Sequence, residues 1–528
     1  MTIAKKQDSS LTGLRYCVET SLGVLPAAAS QIWYPAEPNT YSDFGGTIKT
    51  IARQPINVSR QNHKGVTADV DAAAGYNTDM TATNLLRLMQ GFMFADAREP
   101  YDSQSLNAAA IADIAVTNSS HEYTSAAFGL TGKHMLVNSM ILVSGSANAV
   151  SNGLKIVSTI TADTTIIVTD TAPLDESANP NIRIQTVGYE FASGSASIVA
   201  AANPTLHRAS GAVDFTTLGL VPGQWVYIGG DSAGLAFATA ANNGYARVKA
   251  VTATDITFDK TTSLMVNDAG TSKTVQVFWG KVIKNEATSA LIKRRSFALE
   301  RDLGQLDSTN AAHQGEYVNG AVPNQFTLTV KQADKLTADL TFMGLTYSTV
   351  AQSSGLLSTA AVSAGSAANA PTIVSEDAFN TSADVARLRL SAVDATTANA
   401  AQYFAYMTDL SVVINNNVTV DKAVGVLGGF ETSAGQFDVS GKVTAYFADI
   451  ASIAAVQANA NCTIDGVFAH ENVGILFDMP LVGLGDGKLA VAENTPITLP
   501  LTTVAAADPF YNHTLLLEFF GYLPAAAM

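Results

Sequence analysis

The sequence repeats part of itself, and that repeat limits what the chain can fold into more than any other feature. The segment Ser151-Asn152-Gly153-Leu154-Lys155-Ile156-Val157-Ser158-Thr159-Ile160-Thr161-Ala162 returns as Asn242-Asn243-Gly244-Tyr245-Ala246-Arg247-Val248-Lys249-Ala250-Val251-Thr252-Ala253. A matched strand precedes each copy: Met140 to Val143 ending at Gly145, and Trp225 to Ile228 ending at Gly229. Each copy reads as apolar strand, Gly-rich loop, Asn-Gly turn, alternating strand, short turn and strand. The pattern predicts two small antiparallel β-barrel or sandwich modules, at 106–195 and 196–285, set side by side as an insertion.

Composition agrees with a mainly β chain. Of 528 residues 47% are apolar and only 14% charged, and the apolar residues are scattered among Thr, Ser, Asn and Gly. Such a length suggests two to four domains with sizeable cores. The two cysteines, Cys17 and Cys462, lie far apart and define neither a disulfide framework nor a zinc cluster, as expected for assembly in a reducing cytoplasm. Neither a cleavable leader nor an 18-residue apolar span is expected, so no membrane association is predicted. The net charge is −15; from Ser296 onward there are 22 acidic against 8 basic residues, or −14, leaving −1 for everything before. An acidic chain has no general affinity for phosphate, because such binding relies on Lys and Arg releasing counterions.

Outside the repeats, Leu85, Leu88, Met89, Phe92 and Met93 fall at the spacing of one buried helical face, with Thr81 or Thr83 as the expected cap. This stripe reads as a helix packed on a sheet. Phe326 to Val330 and Leu336 to Phe342 alternate as a hairpin around Gln332 to Lys335. One face is Phe326, Leu328, Val330, Leu336, Ala338, Leu340 and Phe342; the other is Thr327, Thr329, Thr337, Asp339 and Thr341. Phe437 to Phe447 alternates likewise, with Asp438, Ser440, Lys442, Thr444 and Tyr446 on the polar side. Ala351 to Ser382 is a nearly uncharged Ser/Ala/Gly-rich stretch that reads as a long loop.

The order of these features resembles the tail tube proteins of long-tailed, siphophage-like bacteriophages. The segments that carry the resemblance are the Leu85 to Phe94 helix, Ser296 to Glu300, Gly315 to Gly320 running into the Phe326 to Phe342 hairpin, Asp409 to Asn417, Gly441 to Phe447, Ile475 to Pro480 and the Leu515 to Tyr522 strand. They cover 15–105 and 290–525. The resemblance implies a tail-tube-type β-sandwich or barrel with a flanking α-helix, its halves at 1–105 and 286–528, interrupted by the two inserted modules. It also implies a structural virion protein of the tail, assembled in the host cytoplasm, whose copies stack as rings, six to a ring or three if a second tube domain is hidden in the C-terminal half. Its partners would be other copies, the tape measure protein and other tail proteins, with double-stranded DNA passing through the lumen unbound during ejection.

Under that resemblance the lumen is expected at Thr327, Thr329, Asp339, Thr341, Asp438, Ser440 and Thr444, a face that offers the phosphate backbone no cation to hold. The modules are expected on the tube exterior, so deleting 110–282 is expected to leave assembly intact. No enzyme is predicted, with no catalytic residue, cofactor or metal. Gly230-Asp231-Ser232-Ala233-Gly234 matches a nucleophile-elbow pattern but falls in a Gly-rich loop without the strand-to-helix setting. The alternating Gly483, Gly485 and Gly487 read as a flexible turn. The seven histidines lack the pairing or carboxylate neighbours of a metal site. The competing reading is an adhesion or receptor-binding protein that uses the repeated modules.

Overall fold

A computed structural model describes residues 12–528 except 54–55, 57, 59–60, 62, 171–172, 305–312, 351–355, 361–375, 405 and 448. The chain divides into two compact units. The first comprises Met1–Ala95, Ile292–Thr381 and Thr408–Val443; the second comprises Asp96–Leu291, Ser382–Met407 and Thr444–Met528. The second unit therefore gathers C-terminal segments together with the repeats, whereas sequence reading placed all of 286–528 in one tube domain.

The first unit is antiparallel β with one packed helix. Its strands are β1 (Gly13–Val18), β2 (Trp33–Pro35), β3 (Pro38–Ala52), β4 (Gly65–Asp79), β19 (Phe297–Asp302), β20 (Gly315–Lys331), β21 (Thr337–Gly344), β22 (Thr346–Val350), β24 (Met407–Asn415), β25 (Thr419–Asp421), β26 (Glu431–Ser433) and β27 (Asp438–Tyr446). The long β20 organises it. Its first half lies between β19 and β22, its second half between β21 and β24. Outward from there, β21 pairs with β4 and β4 with β3, while β27 follows β24.

Helix α1 (Leu86–Phe92) covers the apolar face of this sheet. Leu85, Leu88, Met89, Phe92 and Met93 are all buried, as the helical spacing predicts. The Phe92 ring lies 5.7 Å from Phe326 and 5.4 Å from Phe342, an arrangement that stabilises beyond simple area burial. Gly91 permits the close approach: a Cβ there would stand 2.7 Å from the Phe297 ring and 2.9 Å from Pro323. The expected threonine cap is not made. Leu85 occupies the cap position without a side-chain bond, and Thr83 instead donates its N–H and hydroxyl to the Glu376 carboxylate at 3.0 and 2.8 Å. Of the predicted loop at 351–382, residues 356–360 carry a helical turn, α2 (Leu357–Ala360), and 376–382 are described; the rest lies outside the described residues.

The second unit contains the repeat. Its first copy forms β5 (Ile114–Thr117), β6 (Glu122–Thr124), β7 (Ser139–Ser144), β8 (Gly153–Thr161), β9 (Thr165–Val168), β10 (Glu176–Asn179) and β11 (Arg183–Glu190). Its second forms β12 (Ala196–Val199), β13 (Thr205–Arg208), β14 (Trp225–Ile228), β15 (Gly244–Val251), β16 (Asp255–Thr261) and β17 (Gln276–Phe278). All belong to one sheet ordered β10-β5-β6-β9-β8-β7-β11-β17-β14-β15-β16-β13-β12. Read outward from the antiparallel β11–β17 pair, the two halves follow the same path. Each half curls over its own core, one around Tyr123, Ile141, Val157 and Ile184, the other around Phe215, Val226, Val248 and Phe258.

The repeat extends to individual atoms. The Asn152 amide accepts from Ser146 N–H at 2.9 Å and donates to its carbonyl at 3.0 Å; Asn243 does the same with Phe237 at 2.9 and 3.0 Å. One residue earlier, Ser151 Oγ accepts from Leu174 N–H and Asn242 Oδ1 from Val266 N–H. Each Asn-Gly thus pins the loop that enters its strand, satisfying backbone groups the loop would otherwise leave open.

The remaining strands of this unit are β18 (Lys281–Lys284), β23 (Val385–Ala392), β28 (Cys462–His470), β29 (Val473–Asp486), β30 (Thr498–Ala505) and β31 (Leu516–Phe520), with helix α3 (Ala451–Gln457). They run in the order β23-β28-β29-β31-β18, and β30 joins the far half of β29. Gly483 and Gly485 lie inside β29 rather than in a turn. A third core, including Trp225, Tyr245, Phe278, Val467, Leu476, Leu516 and Phe520, joins the middle of the repeat sheet to these strands.

Candidate functional site

Six of the seven residues singled out from sequence lie in the first unit. On β20 and β21, Thr327 is paired with Asp339, Thr329 with Thr337 and Gln325 with Thr341, while their neighbours Phe326, Leu328, Ala338, Leu340 and Phe342 are buried on the opposite side. Asp438 and Ser440 are exposed on β27, where Val439 and Val443 are buried. Period-two alternation therefore brings Thr327, Thr329, Asp339, Thr341, Asp438 and Ser440 to one polar sheet face. Thr444 continues the β27 alternation but belongs to the second unit.

Sequence reading did not include β4 in this face. Asn77 is paired with Asp339 and donates to it at 2.8 Å; Asp79 is paired with Thr337, accepts from Asn39 at 2.5 Å and meets the Lys335 ammonium at 2.7 Å. Asn417 donates to Asp438 at 2.8 Å. The surface is thus a net of short-range hydrogen bonds between amides, hydroxyls and carboxylates.

The expectation of a face without cations needs correction. Lys442 is exposed on β27 between Ser440 and Thr444, and Lys331, exposed at the end of β20, stands opposite Asp409 of β24. These cations stand among Asp79, Asp339, Asp409 and Asp438. Single lysines interspersed with carboxylates do not make the continuous basic stripe that retains a phosphate backbone.

The chemistry-bearing motifs occupy structural positions. Gly230 to Gly234 forms the loop after β14, where Asp231 accepts from Ala525 N–H at 2.6 Å and Ser232 closes a turn to Leu235. Three histidines do have carboxylate neighbours, contrary to expectation: His207 with Asp255 at 2.8 Å, His313 with Asp302 at 2.8 Å and His470 with Asp384 at 2.9 Å. Lys281 meets Asp102 at 2.5 Å and Glu99 at 2.8 Å, and Arg183 meets Asp102 at 2.6 Å. Burial alone would raise the Asp102 carboxyl, but Arg183 and Lys281 hold it down at about 2.

Two raised carboxyls lie on the strands that join the repeat to the C-terminal segment. Arg247 of β15 contacts Asp478 of β29 at 3.0 and 3.1 Å and Asp259 of β16 at 2.7 Å, with Asp478 fully buried. Burial pushes Asp478 up to about 6 despite Arg247. Glu518 of β31 is also fully buried and accepts from Trp225 N–H at 2.9 Å, Gly280 N–H at 2.8 Å and Gln224 Nε2 at 3.1 Å. Desolvation exceeds those three bonds and pushes its carboxyl up to about 8.

The chain is built mainly of antiparallel β sheets, and the first unit carries a hydrogen-bonded polar sheet face. The chain belongs to the phage tail tube protein family, whose model matches residues 9–505. It is accordingly a component of the virion tail. No curated protein matches it. Of solved structures, the phage phi92 endosialidase aligns over 95% of this chain and 67% of its own at 10% identity, with a TM-score of 0.14 that carries no argument. Among the described residues no helix is long and apolar enough to cross a membrane.

Proposed function

We propose that this chain is the major tube subunit of a siphophage-like tail, with copies stacked as rings, six to a ring, around a channel through which double-stranded DNA is ejected. The observation that carries the reading is the single polar face on which Thr327, Thr329, Asp339, Thr341, Asp438 and Ser440 come together. In the assembled ring this face, with Thr444 continuing it, lines the lumen. Hydroxyls and carboxylates keep the wall wetted, and its acidic excess repels the phosphate backbone enough for the duplex to slide. The inserted modules, 106–195 and 196–285, occupy the tube exterior, and the subunits assemble with the tape measure protein and other tail proteins in the host cytoplasm.

The test is to make the wall basic. Tubes of a Thr327→Lys, Thr329→Lys, Asp339→Lys variant are expected to retain duplex DNA with affinity that falls steeply as salt rises, and virions carrying it to eject more slowly. Lysine-bearing tubes that bind no more DNA than wild type would contradict a channel wall at this face.

A further inference from the structure

The two repeats of the second unit enclose a cleft of about 590 Å³ where they meet. It is built by the loop before β7 (Leu130 to Leu136), the turn between β8 and β9 that holds Asp163, and the turn Phe215–Leu218 before β14. Its floor is apolar, with Leu130 and Met135 buried and Leu136 and Ile160 half-buried. These segments are tied to one another. Gly129 N–H bonds the Asp163 carbonyl at 3.0 Å and Thr131 N–H the Asp163 carboxylate at 2.9 Å, which locks loop to turn. His134 reaches to the second repeat and donates from Nδ1 to the Thr217 carbonyl at 2.9 Å; its ring lies against Gly219, where a Cβ would stand 2.9 Å away.

The side chains of the rim are acceptors. Each threonine hydroxyl there has its proton committed: Thr131 to Asp163, Thr216 to the Asp214 carboxylate at 2.6 Å and Thr217 to the Asp214 carbonyl at 2.6 Å. Their oxygens keep only acceptor capacity. With Nδ1–H spent on Thr217, a neutral His134 ring likewise offers Nε2 as an acceptor. Asp163 takes both Thr131 bonds on Oδ1, so its Oδ2 is left for a ligand. Among the described residues that line this cleft there is no lysine or arginine; Lys133 lines the neighbouring one. A carboxylate and several neutral acceptors above an apolar floor match a cation with N–H donors on a hydrocarbon stem, the stem on the floor and the head at the rim. An anion would meet Asp163 and find no side-chain donor. A neutral polyol would bring donors but leave Asp163 without a counter-charge.

We propose that this cleft binds an aliphatic ammonium, supplied by a free polyamine or by a lysine side chain of another protein. Asp163 provides the counter-charge, the threonine oxygens and His134 Nε2 accept the N–H bonds, and Leu130, Met135 and Ile160 cover the methylenes. The site does not depend on how copies of the chain assemble.

The test is calorimetric titration of the full chain with diaminobutane, with butanediol as the uncharged probe and N-acetyl-lysine amide as the protein-side-chain probe. Diaminobutane is expected to bind saturably and more weakly as salt rises, and butanediol not to bind. Asp163→Asn keeps the oxygen that Thr131 bonds and is expected to weaken binding about fivefold. Thr216→Lys, which brings an ammonium of its own to the rim, is expected to abolish it. Both positions are exposed, so circular dichroism is expected to be unchanged. A diamine that binds more tightly than the lysine probe assigns the free polyamine, and the reverse order assigns a protein lysine. No saturation by either amine at about 10 mM, undiminished binding to Asp163→Asn, or equal binding of butanediol overturns the proposal. Should the variants misfold, hydrogen exchange on wild type decides: amides of 129–136 and 161–164 gain protection with diaminobutane, and unchanged exchange there overturns the site.

Discussion

At the residue scale, Glu518 concentrates the unusual chemistry of this chain. A fully buried carboxyl with three donors and no cation is favoured in its protonated form, hence its rise from 4.5 to about 8. The folded state therefore binds the proton more tightly than the unfolded chain. This contribution to stability is complete below about pH 4.5 and is lost as pH rises through about 8. Asp478, raised to about 6, acts in the same direction over a lower window. Glu518→Gln is expected to flatten the decline in melting temperature of this unit between about pH 5 and 9, as thermal unfolding across that range would reveal; an unaltered decline would assign it to other groups. None of this was legible in the sequence. Glu518 and its donors Trp225 and Gly280 come together only when the repeat sheet meets β31, and nothing in local pattern encodes that meeting.

At the scale of elements, strong period signals were read correctly and weak ones were not. The stripe Leu85 to Met93 and the hairpin around Gln332 to Lys335 are clearly periodic, and the structure reproduces both; the register, with Thr327 opposite Asp339, is added by the structure. The repeat was legible through Asn152-Gly153 and Asn243-Gly244, whose amides perform the same clamp in each copy. By contrast β4 carries Asp69, Asp71 and the run Ala72 to Ala74 through its middle, which interrupts the β-branched residues that would mark it. Its strand character comes from pairing with β3 and β21. Glycines mid-strand misled in β29 because the pairing with β30 overrides their turn preference. The ion pairs also change what the modules can be. Removing 110–282 deletes Arg247, Trp225 and Gly280 together with the repeat side of the third core, so Leu476, Leu516 and Phe520 lose their cover. Each large apolar side chain so exposed forfeits about 1.5–3 kcal/mol, which argues against a neutral deletion. The truncated chain is expected to express as insoluble or protease-sensitive protein, measured by limited proteolysis; a resistant, assembling truncation would show that β28 to β31 fold alone.

At the scale of the whole molecule, family membership and the polar sheet face point the same way. Large antiparallel β surfaces and, among the described residues, an unpaired outer edge on β3 are consistent with the proposed association of copies. The acidic excess of the C-terminal half, −14 of the total −15, is consistent with a wall that conducts nucleic acid rather than retaining it. The most direct measurement is a cryo-electron microscopy reconstruction of tubes assembled from the purified chain. Stacked rings of six subunits, with Thr327, Thr329 and Asp339 facing an axial channel wide enough for a DNA duplex, are the predicted result. Tubes whose channel is lined by another surface, with this face turned to the outside, would contradict the account.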